Sequence, residues 1–326
     1  MKKILAILLL VPMLSFAWQP EPNKVITVTV PNPPGSGNEM AFRELAAIIA
    51  KTDKNPKFII VNQPGADGVV ALNGLLGKAP DGYNIMAAVQ PSTVLTNDIW
   101  EKGVKKFEWD TFVYPITYAR SPLVLIANSK SMVNTPVDFI KLIATTTKPV
   151  NVAVGGGGHR TAFEYLMIKG NGNADMVKTV RFQGPLQVVT SVAQYEGKDG
   201  TEFGILPISI AQPLIQAGKV KPIGITGTQQ LARYPNVLSL NGVSPGNNIT
   251  ASWFIVLPPN TPKEISDWYS KTFTAAIKTA EFKQWADENA VIINFNETTH
   301  DTVMRENKQL RTTYMPLLQK IDPNKD

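Results

Sequence analysis

The sequence predicts an α/β protein built as two lobes, and three observations lead there. Short runs rich in β-branched residues alternate with segments whose apolar residues recur at helical spacing. The chain has 326 residues, 44% of them hydrophobic, which is length enough for two cores rather than one. No Gly/Ser-rich or Pro-rich linker divides it, so two lobes must be joined by strands that cross between them. Strand–helix alternation of this kind gives largely parallel sheets with helices on their faces.

Taken in order, the chain opens with Met1-Lys2-Lys3, an apolar run from Ile4 to Met13, and Ser15-Phe16-Ala17. A positive start, a short apolar stretch and a small-x-small site predict an export signal cleaved after Ala17. The alternative, an uncleaved anchor, is disfavoured because a membrane span needs about 20 apolar residues. The chain has no cysteine, which excludes a disulfide framework, a lipid-anchor cysteine, a thiol nucleophile and a Cys-based zinc site. An exported chain without disulfides fits a bacterial periplasm. The net charge of +6 falls by two when Lys2 and Lys3 leave. It is spread without a dense Lys/Arg block or basic–aromatic interleaving, so nucleic acid is not an expected partner.

Strands are predicted at Val25–Val30, Lys57–Val61, Asn84–Ala88, Leu123–Ala127, Val150–Val154, Lys178–Phe182, Lys221–Thr226 and Trp253–Leu257. Between them, Glu39–Lys51 carries Ala41, Leu45, Ile48 and Ile49 on one helical face. Asp67–Lys78, Val137–Ala144, Thr161–Lys169 and Pro185–Tyr195 follow the same habit. The last third is helical. Thr261-Pro262-Lys263-Glu264 combines an N-cap, a first-turn proline and a glutamate three residues on. A second helix is predicted from about Glu281 and a third from about Thr299 toward Lys320, with a kink or break at Pro316.

The chemistry gathers at the strand-to-helix corners. "VPNPPGSGNE" runs from a strand through Asn32, Gly35, Ser36 and Gly37 into a helix at Asn38 or Glu39. Glycine lets backbone approach a partner, and the unpaired N–H groups of a helix start attract an anion. Gly65-Ala66-Asp67-Gly68 repeats the pattern, Gly155 to Arg160 repeats it with four consecutive glycines, and Phe182-Gln183-Gly184-Pro185 is a fourth case. In open α/β sheets ligands lie beyond the carboxyl ends of the strands, where such corners meet. Enzyme signatures are missing: there is no GxGxxG, no GxxxxGK[ST] and no GxSxG. Two histidines, His159 and His300, cannot make a multi-histidine metal site. The residues predict a binding protein that uses no metal or cofactor.

Six segments in order resemble the TctC/Bug family, the periplasmic solute-binding proteins of tripartite tricarboxylate transporters. Pro31 to Glu39 followed by Arg43 looks like the family's PFPPGG-type first loop, and Asn62 to Gly68 resembles its ENRPGAGG segment. Ala79-Pro80-Asp81-Gly82-Tyr83 matches its PDGY turn. Gly218 to Ile223, Arg233 to Val237 and Trp253 to Pro262 look like its GKLRAL, R…PDVP and W-x-G-x-x-x-P-x-x-T-P stretches. The resemblance implies a Venus-flytrap protein of the type II-like periplasmic-binding class, with a central sheet and flanking helices in each lobe. It implies a receptor that closes on a small carboxylate and hands it to membrane permease subunits. Carried over, the ligand's carboxylate would lie between Asn32–Glu39 and the Gly156, Gly157, Gly158, His159, Arg160 segment. Further contacts are expected from Gly65, Ala66, Gln90, Ser92, Phe182 and Gly184.

Where the family has an aromatic, a second glycine and an aspartate in the first loop, this chain has Asn32, Ser36 and Glu39. "YEGKDGTEFG" replaces the family's GQVD. The expected organisation is a signal over 1–17, a first lobe of 18–120 plus 252–326, and a second lobe of 121–251 with its return somewhere in 226–255. A monomer without catalytic activity is expected. The alternatives are a sensor that docks on a membrane receptor, or an enzyme acting on carboxylated substrates through His159 and Glu39.

Overall fold

The computed structural model describes residues 18–96, 98, 103–197, 200–293 and 298–319. The predicted export signal lies outside the described residues, as do Lys198 and Asp199 of the "YEGKDGTEFG" stretch. Nine strands form one continuous sheet among the described residues. In chain order they are β1 (Val25–Val30), β2 (Lys57–Asn62), β3 (Asn84–Gln90), β4 (Thr117–Asn128), β5 (Val150–Val154), β6 (Val177–Arg181), β7 (Phe203–Pro207), β8 (Val220–Ile225) and β9 (Thr250–Val256). Their spatial order is β2-β1-β3-β9-β4-β7-β5-β6, with β8 also paired to β4.

The helices are α1 (Gly37–Thr52), α2 (Val69–Leu76), α3 (Pro136–Thr145), α4 (Gly157–Lys169), α5 (Pro185–Ala193), α6 (Ile208–Gln216), α7 (Lys263–Ile277), α8 (Ala280–Glu288) and α9 (His300–Leu318). Their packing explains the two-sided burial of the sheet. In β3, Ile85 and Ala87 join the cluster under α1 and α7, while Met86 and Ala88 join the opposite cluster with Leu72 of α2. In β4, Leu123 and Leu125 face Phe139 and Phe163, and Val124 and Ile126 face Val188 and Val189. Successive side chains of a strand point to opposite faces, so apolar residues at both parities require cover on both faces.

β4 is the element that organises the molecule. Its first half, Thr117 to Pro122, pairs antiparallel with β9, which in turn pairs with β3. Its second half, from Leu123 on, pairs with β7, and from Val124 with β8. The ladder changes partners at Pro122, where a residue without an N–H sits at a seam. On one side lie β1, β2, β3 and β9, and on the other β5, β6, β7 and β8. The chain crosses between the sides along β4 and returns along the start of β9, where Thr250 pairs with Pro122.

Four differences from the sequence reading have physical causes. β7 and α6 were not predicted, because "FGILPISIAQPLIQ" holds a glycine, two prolines and no polar punctuation to separate a strand from a helix. The predicted helix at Asp67 starts later: Ala66 and Asp67 have φ of 44° and 49°, and α2 begins at Val69. Thr261 is not the cap of α7, since its hydroxyl donates to the Pro258 carbonyl at 2.7 Å and Pro262 holds the N-cap position. Helix α9 runs through Pro316 without a break: a proline removes only its own bond to the preceding turn, and the last turn is still closed by the Gln319 N–H on the Met315 carbonyl at 3.0 Å.

Candidate functional site

Four helices begin around one cleft. The starts of α1, α4, α5 and α6 bring Gly37, Gly158, Pro185 and Pro207 to its wall, together with Ser36, Asn38, Gly156 and His159. Pro31, Asn32, Asp67, Ser92 and Thr93 complete the side of β1–β3, and Val89, Ala251 and Trp253 form its floor. Each helix start carries unpaired N–H groups and a partial positive charge. No Lys or Arg is among the described lining residues. The cleft holds about 50 Å³, against roughly 10–15 Å³ for one water on the same measure. It is tight, and it accommodates a few water-sized groups.

The first corner is built to present donors. Ser36 is the N-cap of α1, yet its side chain makes no capping bond. Its Oγ is buried without a partner, and so is Asn32 Oδ1. Glu39 does the holding instead. Its carboxylate accepts from the Gly35 N–H at 3.1 Å, Asn62 Nδ2 at 3.0 Å and Arg43 Nε at 2.8 Å. Burial pushes its pKa up, but the bonds from Asn62, Arg43 and Gly35 and the charge of Arg43 outweigh that and hold it below the ordinary value. Glu39 is thus an ionised tie behind the corner and does not line the cleft. Asn38 anchors the same turn to β3 through Nδ2 to the Ala87 carbonyl at 2.9 Å. Gly37 is required, because a Cβ there would stand 2.6 Å from the Trp253 ring.

The second corner departs from expectation. Gly157 N–H donates to Asp67 Oδ2 at 3.1 Å, so a carboxylate of the protein stands where a ligand carboxylate was anticipated. Asp67 crosses from the β2–α2 corner, and its left-handed φ of 49° suits an aspartate better than most residues. Gly156 has φ 145°, and a Cβ there would lie 2.8 Å from Asp67 Oδ1. His159 Nδ1 accepts the Gly155 N–H at 3.2 Å, which places the ring proton on Nε2. Burial lowers its pKa to about 4, so the ring is neutral at pH 7.

Of the residues singled out in the sequence, Asn32, Ser36, Gly37, Asn38, Ser92, Gly156, Gly158 and His159 line the cleft. Gly35, Gly65, Ala66, Gly157, Phe182 and Gly184 stand behind it and shape its corners. Gln90 is turned away, its amide bonded to Asn307 of α9. Arg160 is 5% exposed, lies 3.6 Å from Glu164 one turn along α4 and is not among the residues lining the cleft. Asp67, Thr93, Pro185 and Trp253 are lining residues that the motif reading did not select. Three of them stood in segments already marked: Asp67 where the ENRPGAGG pattern has glycine, Pro185 at the end of the fourth corner and Trp253 at the head of the W-x-G-x-x-x-P-x-x-T-P stretch. No group of three or more His, Cys, Asp or Glu that could hold a metal occurs among the described residues. None of the described helices is long and apolar enough to cross a membrane.

A cleft between two α/β halves, entered by helix starts and spanned by crossing strands, defines a periplasmic-binding-protein fold. Solved structures agree. An R. palustris protein with adipate superposes with a TM-score of 0.82 at 18% identity, covering 91% of this chain and 97% of that one. MatC from Rhodopseudomonas palustris with bound malate gives 0.81 at 19% identity, covering 91% and 100%. A UPF0065 protein of Bordetella pertussis is 23% identical over 98% of this chain and 97% of its own length. The model of the tripartite tricarboxylate transporter family receptor, TctC, matches residues 41–312. The chain belongs to that family and is a solute-binding receptor.

Proposed function

We propose that the protein captures a small carboxylate in the periplasm and delivers it to the permease subunits of a tripartite transporter. The ligand's carboxylate lies at the start of α1, against Ser36 Oγ and the backbone N–H groups of the first turn. The observation that carries this reading is Ser36. A buried hydroxyl without a partner costs about 1–3 kcal/mol, and this one faces a cleft ringed by helix starts. A carboxylate there would satisfy it.

The moving bodies are 18–120 plus 252–326 and 121–251, hinged where β4 changes partners. Closure brings both sides onto the ligand, which shifts the population toward the closed form. The protein acts as a monomer and releases its ligand unchanged. His159 supports this, because its unprotonated nitrogen already accepts a backbone N–H and is not offered to a substrate.

The test is a thermal-shift and calorimetry panel of mono-, di- and tricarboxylates and amino acids, with recovery of the bound compound. A ligand at about 100 times its Kd adds about 2.7 kcal/mol of stability. Ser36→Ala is expected to keep the fold and to weaken binding about tenfold or more, the scale of a hydrogen bond to a charged group. A folded Ser36→Ala protein with undiminished affinity would remove the α1 corner from the site. A chemically altered ligand would reverse the non-catalytic reading.

A further inference from the structure

We infer that the protein holds a second binding site, separate from the cleft, for a small carboxylate with an apolar body, and that Arg120 receives its charge. The site goes beyond the receptor reading and does not depend on it. It is a cavity of about 320 Å³ at the seam where β4 changes ladder partners, within the size range of small-molecule sites. Arg120 and Pro122 of β4 and Thr250 of β9 wall it from one side of the seam, and the loop of Thr226 to Gln229 after β8 walls it from the other. No described residue lines both this cavity and the cleft.

Its walls are tied in place by the protein's own bonds. Ile292 and Arg120 exchange both backbone hydrogen bonds, at 2.7 and 2.8 Å. The Thr226 N–H donates to the Leu123 carbonyl at 2.9 Å, and the Thr226 hydroxyl accepts the Leu123 N–H at 3.0 Å. Arg120 is the single charged side chain among the described lining residues. Its Nη2 donates to Glu306 of α9 at 2.6 Å, while its Nε is buried and meets no acceptor. The side chain keeps 28% exposure. A guanidinium carries five donors, so the bond to Glu306 leaves donors for a second acceptor. The other polar side chains in the wall, among them Thr228, Gln229 and Asn248, are neutral. An arginine among neutral groups, with no carboxylate in the described wall, selects an oxyanion. Pro122, Ile292 and Ile293 make part of the wall apolar. Oxygens turned toward that part would lose water without compensation, which favours a carboxylate on a short hydrocarbon over phosphate or sulfate.

The experiment is an NMR titration of the isotope-labelled protein at constant ionic strength, read at the arginine Nε–H signals. Butyrate, phosphate, sulfate and chloride are the probes. Arg120→Lys keeps the charge and identifies the Arg120 signal by removing it. The expected result is a saturable shift of that signal with butyrate and none with chloride. Ser36→Ala, which alters the cleft, is expected to leave the shift in place. Glu306→Gln removes the carboxylate that competes for the guanidinium, so butyrate is expected to bind about threefold or more tightly. An ion pair with a purely structural role would give no such gain. Circular dichroism checks the fold of each variant. An equal shift with chloride would reflect charge screening alone and would overturn the site. Saturation by phosphate or sulfate and not by butyrate overturns the carboxylate assignment. An affinity no tighter in folded Glu306→Gln removes Arg120 from the site. No saturable shift with any probe overturns the inference and leaves the receptor reading untouched.

Discussion

His159 illustrates how the surroundings of a residue that invites a catalytic reading set its protonation and its hydrogen bonds. Its Nδ1 is engaged by the Gly155 N–H, and burial lowers its pKa from 6.5 to about 4. The unfolded chain therefore takes up a proton near pH 6.5 that the folded chain refuses until about pH 4. Stability from this residue is complete above about pH 6.5 and is lost as the pH falls from there toward 4. Urea unfolding between pH 4.5 and 7.5 checks it. His159→Gln is expected to flatten the pH dependence by up to about one proton's worth of slope, whatever its effect on stability at pH 7; parallel curves would show that the ring titrates normally. The glycine and proline corners around His159 were legible in the sequence because tight turns demand those residues locally. That Asp67 and Trp253 line the cleft was not legible, since their places there depend on contacts between segments far apart in the chain.

Among the elements, α9 links regions that the sequence reading assigned to separate lobes. Its start packs Val303 into the cluster of Leu72 and Met86, while Tyr314 and Leu318 join the cluster of Phe139 and Phe163. Glu306 pairs with Arg120 at 2.6 Å, and Arg311 donates to the Val94 carbonyl at 2.6 Å. The Tyr314 hydroxyl donates to the Gly246 carbonyl at 2.9 Å and accepts from the Asn248 N–H at 3.2 Å. Tyr314→Phe keeps the ring and removes both bonds, so a loss of about 1–2 kcal/mol is expected in denaturant unfolding. A midpoint equal to the parent's would mean that water replaces the hydroxyl without cost. Helical periodicity revealed that α9 exists. It could not reveal what α9 touches, because a pattern of apolar residues names a buried face and not its partner.

At the scale of the molecule, the β4 seam at Pro122 and the return at Thr250 leave two backbone crossings between the halves. The strand patterns made an α/β sheet readable, but the change of ladder partners at Pro122 is a property of pairing and leaves no local mark. Hinge closure should register in solution scattering. A saturating ligand is expected to draw the radius of gyration toward about 20 Å, the value for a compact chain of this length, from a larger value without ligand. Superimposable curves would mean that the halves do not move as proposed.

The position of α9 has a mechanical consequence. With the hinge proposed above, two strands alone would make a loose pivot, whereas two strands and a helix seated on both sides would make a sprung clip with a preferred gape. Apparent affinity scales with the fraction of molecules already in the binding-competent shape. The grip on a ligand can therefore be retuned from the back of the clip, by changing how α9 sits at Tyr314 or Glu306, while every residue that touches the ligand stays the same.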